Sequence, residues 1–285
     1  MRFASNTKSF ELMEKNFRID QTLYHFTIFG EGKPLLLLHG FTGSKESWRG
    51  VIPSLAKTWR VIAVDLPGHG QTIAPDDVTA YTMPVVAGQL ARLIERAAGE
   101  PAHVLGYSMG GRLALYLALA HPAWVSALTL ESASPGLEAE AERAARVASD
   151  EGLAARIERD GIEKFVEEWE KLPLFASQAQ LPAHARAELR AQRLRNRPHE
   201  LALSLRGMGT GAQPSLWGKI ERSDRLSVNL IAGELDTKFV GINRRMQALM
   251  SNARLKVVAG AGHSVHLEKP ETWAAIVSQT ERKSF

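Results

Sequence analysis

The 285-residue chain has no cysteine. Disulfides, Cys-ligated zinc, iron–sulfur clusters and a thiolate nucleophile are thereby excluded, and the composition suits a reducing compartment. No run approaches the roughly 18 apolar residues of a membrane span. The opening stretch, MRFASNTKSFELMEKN, lacks the apolar segment of about 7–15 residues that marks a signal peptide. These absences lead to the expectation of a cytoplasmic protein without a membrane span. Nor is one charge in marked excess: 35 Lys+Arg stand against 31 Asp+Glu, a formal net charge of +4, and the signs are mixed nearly everywhere. A nucleic-acid-binding chain concentrates its basic residues in a patch or arm, so nucleic acid is not an expected partner. What is present is an ordinary globular balance, 45% hydrophobic and 23% charged, which rules out wholesale disorder.

Short apolar runs at residues 17–20, 23–29, 34–38, 60–66, 103–107, 126–131, 226–232 and 253–259 read as strands. Most lack polar–apolar alternation, the pattern of strands buried on both faces of a parallel sheet. Helical spacing covers 48–57, 81–98, 109–121, 239–250 and 270–280. Strands alternating with helices predict an α/β fold, a mostly parallel eight-stranded sheet with helices on both faces. The alternation stops at residue 132. From there to 222, helical patterns at 138–149, 162–171, 182–195 and 199–208 are separated by Pro173, Pro182 and Pro198. The expected organisation is a flexible tail at 1–14, a core at 15–131 and 223–285, and an inserted helical cap at 132–222 over the strand C-termini.

Gly106-Tyr107-Ser108-Met109-Gly110 is G-x-S-x-G, set between the apolar run HVLGY and the helical MGGRLALYLALAHP. That strand–turn–helix setting gives the motif its meaning. Small residues at 106 and 110 permit a sharp turn that presents Ser108 Oγ above the sheet, with a helix N-terminus beneath any developing negative charge. The bland alternative is a glycine-rich turn with an incidental serine. A serine hydroxyl needs a base, and the base an orienting carboxylate. In this architecture they follow in the order Ser, Asp or Glu, His. Gly233-Glu234-Leu235-Asp236 closes one apolar run and Gly260-Ala261-Gly262-His263 the next, so Asp236 and His263 are the expected orienter and base. Glu234 competes with Asp236, and His266 with His263; a His263–His266 metal pair lacks a third ligand. His39-Gly40-Phe41 follows the PLLLL run, which makes the amides of Phe41 and Met109 the expected oxyanion donors. His39 and His69 read as loop-holding residues.

From about Phe17 onward these residues resemble the α/β-hydrolase superfamily. More specific are GYSMGGR at 106–112, LESASPGL at 130–137, FVEEWEKLPLF at 165–175, SLRGMGTGAQPSLW at 204–217 and GELDTKF at 233–239. Together they resemble the 2-succinyl-6-hydroxy-2,4-cyclohexadiene-1-carboxylate synthases of menaquinone (vitamin K2) biosynthesis, with no departure at the triad positions. The resemblance implies a lyase. It would remove a ring proton from 2-succinyl-5-enolpyruvyl-6-hydroxy-3-cyclohexene-1-carboxylate and expel pyruvate, without cofactor or metal. Ser108, made basic by His263 and Asp236, would take the proton, and Phe41 and Met109 would hold charge on the succinyl carbonyl.

Such a small-molecule polycarboxylate carries three carboxylates. Arg112 lies one helical turn after Ser108 on the same face, and Arg146 falls on the first cap helix. Arg186, Arg190, Arg193, Arg195, Arg197 and Arg206 stand against only Glu188 and Glu200. For most of that cluster the expected role is a solvated helix face. Matched by position to the family pattern, Arg112, Arg146 and Arg193 are the expected substrate ligands. Tyr107 and Trp169 are read as apolar walls, with core packing as the competing role. Two other functions stay open: a serine carboxylesterase or carbon–carbon bond hydrolase with the same triad, and a non-catalytic ligand-binding scaffold. Dehalogenase and epoxide hydrolase chemistry needs Asp at the elbow and is excluded by Ser108. None of these features encodes an oligomeric state.

Overall fold

Leu35, Leu36, Leu37 and Leu38 are all fully buried. Leu36 and Leu38 join the larger apolar cluster, whereas Leu35 and Leu37 join a second one with Trp48 and Trp273. Successive side chains of a strand point to opposite faces, so a run without alternation needs apolar packing on both. The computed structural model describes residues 13–221 and 226–281, and among these, eight strands form one sheet. They are β1 (Met13–Ile19), β2 (Thr22–Phe29), β3 (Lys33–Leu38), β4 (Trp59–Val64), β5 (Ala102–Tyr107), β6 (Val125–Glu131), β7 (Val228–Gly233) and β8 (Ala253–Val258). Their order is β1-β2-β4-β3-β5-β6-β7-β8. The β1–β2 and β2–β4 pairs are antiparallel and the other neighbours parallel, so the expected sheet is the observed one.

The core helices before the insertion are α1 (Ile52–Leu55), α2 (Met83–Ala98) and α3 (Met109–Ala120). Between β6 and β7 come α4 (Glu140–Trp169), α5 (Ala183–Leu194), α6 (Pro198–Met208) and α7 (Trp217–Ile220). The chain then adds α8 (Thr237–Leu249), α9 (Val265–Glu268) and α10 (Pro270–Glu281). Leu90 and Ile94 of α2 and Leu113 and Leu117 of α3 cover one face of the sheet; Leu55 of α1 and Trp273 and Val277 of α10 cover the other.

Several boundaries differ from the sequence reading. Met13 and Glu14, expected in the tail, pair with Ile28 and Thr27 in the sheet. Residues 1–12 of that tail, and the expected cap–core boundary at 222/223, lie outside the described residues. The helix expected over 48–57 is replaced by a 3-10 turn at Lys45–Trp48 and the short α1. Pro53 stands in the first turn of α1 and has no N–H to continue a helix from before it. The patterns at 138–149 and 162–171 merge into α4, bent at Gly161 with φ 83°, a value open to glycine without steric cost.

Ile157, Phe165 and Val166 of α4 bury against Leu201, Ala202 and Leu205 of α6, an apolar cluster distinct from the two sheet cores. Polar bonds tie this insertion to loops at the strand ends. Asn196 Nδ2 donates to Thr42 O after β3 (2.9 Å), and Arg197 donates to Gly70 O (2.9 Å) and Thr72 O (3.1 Å) after β4. Gln178 Nε2 donates to Ser264 Oγ after β8 (3.0 Å).

Candidate active site

Ser108 is the N-cap of α3 and sits at φ 50°, ψ −110°, a strained backbone for a residue with a Cβ. The glycines on either side make that turn possible. A Cβ at Gly106 would stand 2.2 Å from Gly110 O, and one at Gly110 would stand 2.2 Å from Leu38 O. The Ser108 amide donates to Glu131 O at 2.9 Å, which anchors the turn to β6.

His263 Nε2 lies 3.1 Å from Ser108 Oγ, and His263 Nδ1 lies 2.6 Å from Asp236 Oδ2. His263 is 2% exposed and Asp236 8%. With the Nδ1 proton donated to the carboxylate, Nε2 is left to accept from the serine hydroxyl. Asp236 is the N-cap of α8 and also accepts from the Phe239 amide (3.4 Å). The carboxylate of Glu268 accepts from the amides of Gly262 (2.7 Å) and Ser264 (3.3 Å), bracketing His263 in its loop. The rivals point elsewhere. Glu234 accepts from the Gly260 amide (3.0 Å), and His266 Nδ1 donates to Glu131 Oε1 (2.8 Å).

Met109, the first residue of α3, has no intrahelical acceptor for its amide. Phe41 sits in a turn closed by Gly43 N donating to Gly40 O (3.0 Å). Two buried imidazoles hold this loop. His39 Nε2 accepts from Leu66 N (3.0 Å), and His69 Nε2 accepts from Thr42 N (3.2 Å); burial lowers both pKa values, that of His69 strongly.

Phe41, Ser108, Met109 and His263 border a cavity of about 270 Å³, and so do Arg112, Arg146 and Arg193. Arg112 Nη1 donates to Gln213 Oε1 (3.0 Å), and among the described residues no carboxylate pairs with it. Burial, and next the neighbouring Arg146, bring its pKa down to about 10, so it stays charged at neutral pH. Arg146 is half-exposed and its Nε donates to Asp150 (2.7 Å). Arg193 is 5% exposed, donates to Glu170 (3.2 Å) and Gln178 (3.1 Å), and stacks over Phe175 at 5.2 Å. The Trp169 ring lies 5.4 Å from Phe41 and 5.6 Å from Phe175 and borders the cavity. Tyr107 OH bonds Ser264 Oγ (2.7 Å), and burial pushes the phenol far above its usual range. Much of the arginine cluster is not a freely solvated face. Arg190 pairs with Glu170, Arg206 with Glu151 and Glu158, and Arg197 bonds the Gly70 and Thr72 carbonyls; Arg186 is exposed.

The model of the alpha/beta hydrolase fold family matches residues 33–270, a span that holds Ser108, Asp236 and His263. The chain belongs to the α/β-hydrolase family. It is 44% identical over 245 residues to a Bacillus subtilis (strain 168) protein named provisionally as a 2-succinyl-6-hydroxy-2,4-cyclohexadiene-1-carboxylate synthase, covering 86% of this chain and 89% of that one. A synthase of the same name from Serratia proteamaculans (strain 568) is 31% identical over 244 residues, 85% of this chain and 90% of that one. The solved structure of MenH from S. aureus aligns with a TM-score of 0.88 at 34% identity, covering 91% of this chain and 98% of that one.

For this α/β-hydrolase-family chain, the residues that sequence reasoning missed are the carboxylates of Glu268 and Glu131 and two neutral amides. Gln178 bridges Arg193 to Ser264, and Gln213 holds Arg112. Gln213 falls within the SLRGMGTGAQPSLW stretch, whereas nothing local separates Gln178 from a surface glutamine. Among the described residues no group of three or more His, Asp or Glu is placed to hold a metal, and no helix is long and apolar enough to cross a membrane.

Proposed function

We propose that this α/β-hydrolase-family protein is a 2-succinyl-6-hydroxy-2,4-cyclohexadiene-1-carboxylate synthase of menaquinone biosynthesis. It is a carbon–oxygen lyase that eliminates pyruvate from 2-succinyl-5-enolpyruvyl-6-hydroxy-3-cyclohexene-1-carboxylate. The observation that carries this reading is that Ser108 shares its cavity with Arg112, Arg146 and Arg193. A tricarboxylate calls for guanidinium partners where a neutral ester does not. Tyr107 and Trp169 serve as walls, residues 132–222 as the cap, and the cytoplasm as the compartment.

Substrate and product together define the bond changes. The ring carbon bearing the succinyl group loses its hydrogen, the ring double bond shifts while a second one forms, and the C–O bond to the enolpyruvyl group breaks. Ser108 Oγ takes the ring proton as its own proton passes to His263 Nε2, and Asp236 stabilises the imidazolium. Charge builds on the succinyl carbonyl oxygen, where the Phe41 and Met109 amides donate. Collapse of that enolate expels enolpyruvate, which regains the proton and becomes pyruvate. No step requires a metal or cofactor.

The triad geometry serves a carboxylesterase equally well, so the deciding experiment offers both substrates. Multiple turnovers of pyruvate from the enolpyruvyl compound, with slow hydrolysis of a short-chain ester, are expected. Rapid ester hydrolysis without pyruvate release overturns the reading.

A further inference from the structure

Glu131 closes β6 and is bonded to both segments that carry the proposed reacting pair. Its main-chain carbonyl accepts from the Ser108 amide at 2.9 Å. Its carboxylate Oε1 accepts from the His266 amide at 3.1 Å and from His266 Nδ1 at 2.8 Å. His266 lies three residues beyond His263, in the first turn after that loop. The nucleophile elbow and the base loop, whose Ser108 and His263 are 155 residues apart in sequence, thus meet at one residue.

The junction is enclosed. Glu131 is 0% exposed and His266 2%, and the His266 ring packs at 4.8 Å from Tyr107 and 4.6 Å from Trp48. Placing a carboxylate and an imidazole in such an interior is costly compared with apolar residues of similar volume. What the pair gives in return is geometric. Two bonds to one oxygen fix the His266 main chain and ring together, and the same residue fixes the Ser108 main chain from its other end.

We infer that Glu131 is a positioning residue, which with His266 sets the separation between Ser108 Oγ and His263 Nε2. The inference rests on the proposed reading that these two atoms react. A displacement on the order of 1 Å between reacting groups costs about 100-fold in rate, so a slackened junction has a kinetic signature.

The test compares full-length wild type with Glu131→Ala, Glu131→Gln and His266→Ala. Three quantities are read: kcat and KM for pyruvate release, the rate constant for sulfonylation of Ser108 by phenylmethylsulfonyl fluoride, and Tm. The sulfonyl fluoride is small and neutral, so it reports the Ser108–His263 pair whatever the natural substrate is. Glu131→Ala is expected to lower kcat and the sulfonylation rate together, by about 10- to 100-fold, with KM within about twofold. Glu131→Gln keeps an oxygen for the His266 amide and is expected to recover part of both. His266→Ala keeps the amide bond and loses the ring bond, so it should fall between wild type and Glu131→Ala. Wild-type sulfonylation in the folded variants, with only Tm lowered, overturns the inference. If Glu131→Ala does not fold, the other two variants decide by the same criterion. If wild type releases no pyruvate, the proposed function fails while the sulfonylation comparison still decides the positioning role.

Discussion

Arg112 and Gln213 form a pair in which a partly buried guanidinium meets a neutral amide, with Nη1 donating to Oε1 at 3.0 Å and Gln213 fully buried. The amide orients the cation without cancelling its charge, which leaves that charge for an anionic ligand. Gln213→Glu should therefore create an internal ion pair that competes with substrate. The expected outcome is a KM raised by about tenfold, equivalent to ~1.4 kcal/mol, with a smaller change in kcat. Steady-state kinetics decide the matter, and an unchanged KM would count against an anion-binding role for Arg112.

Ser108, His263 and Asp236 should act as one unit. Ser108→Ala and His263→Ala are each expected to remove nearly all pyruvate release, and the double variant should be no slower than either single one. Mass spectrometry under turnover should show unmodified protein. A stable adduct on Ser108 with the enolpyruvyl substrate would instead favour acyl transfer.

Removing a guanidinium should strand a substrate carboxylate. Arg112→Ala and Arg193→Ala are expected to lower kcat/KM by about 10- to 100-fold or more, at ~1.5–3 kcal/mol per charged hydrogen bond. Arg146→Ala should show the smallest loss, because this side chain is 43% exposed and already paired with Asp150. Arg186→Ala should be close to wild type. Arg197→Ala should lower Tm, since its bonds to Gly70 and Thr72 tie the insertion to the core. Equal losses on a neutral ester and on the anionic substrate would refute the carboxylate-clamp argument.

Stability should fall on the acid side. His103 is buried against Thr129 Oγ1 at 2.8 Å, and burial lowers its pKa from 6.5 to about 4. The unfolded chain binds this proton first, so the contribution is complete above about pH 6.5 and is lost as pH falls towards 4. It amounts to at most roughly 3 kcal/mol. His39 and His69, also lowered by burial, act in the same direction. Thermal melts across that window should show the decline, and His103→Gln should make it shallower, leaving the part due to His39 and His69. An unaltered pH profile in that variant would remove His103 from the account.

The sheet, and the chain order in which Ser108, Asp236 and His263 follow one another at its strand ends, were legible in the sequence. An apolar run such as 34–38 and a Gly-flanked serine such as Ser108 are local signals. Burial on both strand faces and the sharp elbow turn depend on near neighbours, so they are legible without the rest of the chain. Tertiary structure decided what those signals left open. Glu234 and Asp236 lie two residues apart in one loop, yet one meets the Gly260 amide and the other His263. Arg193, Arg197 and Arg206 share one composition, but only Arg193 borders the cavity with Ser108. Gln213, Gln178 and Glu131 acquire their roles from partners 101, 86 and 135 residues away. Spacing along a chain sets the face on which a side chain stands, whereas a hydrogen bond depends on the distant segment that packing brings within about 3 Å of it.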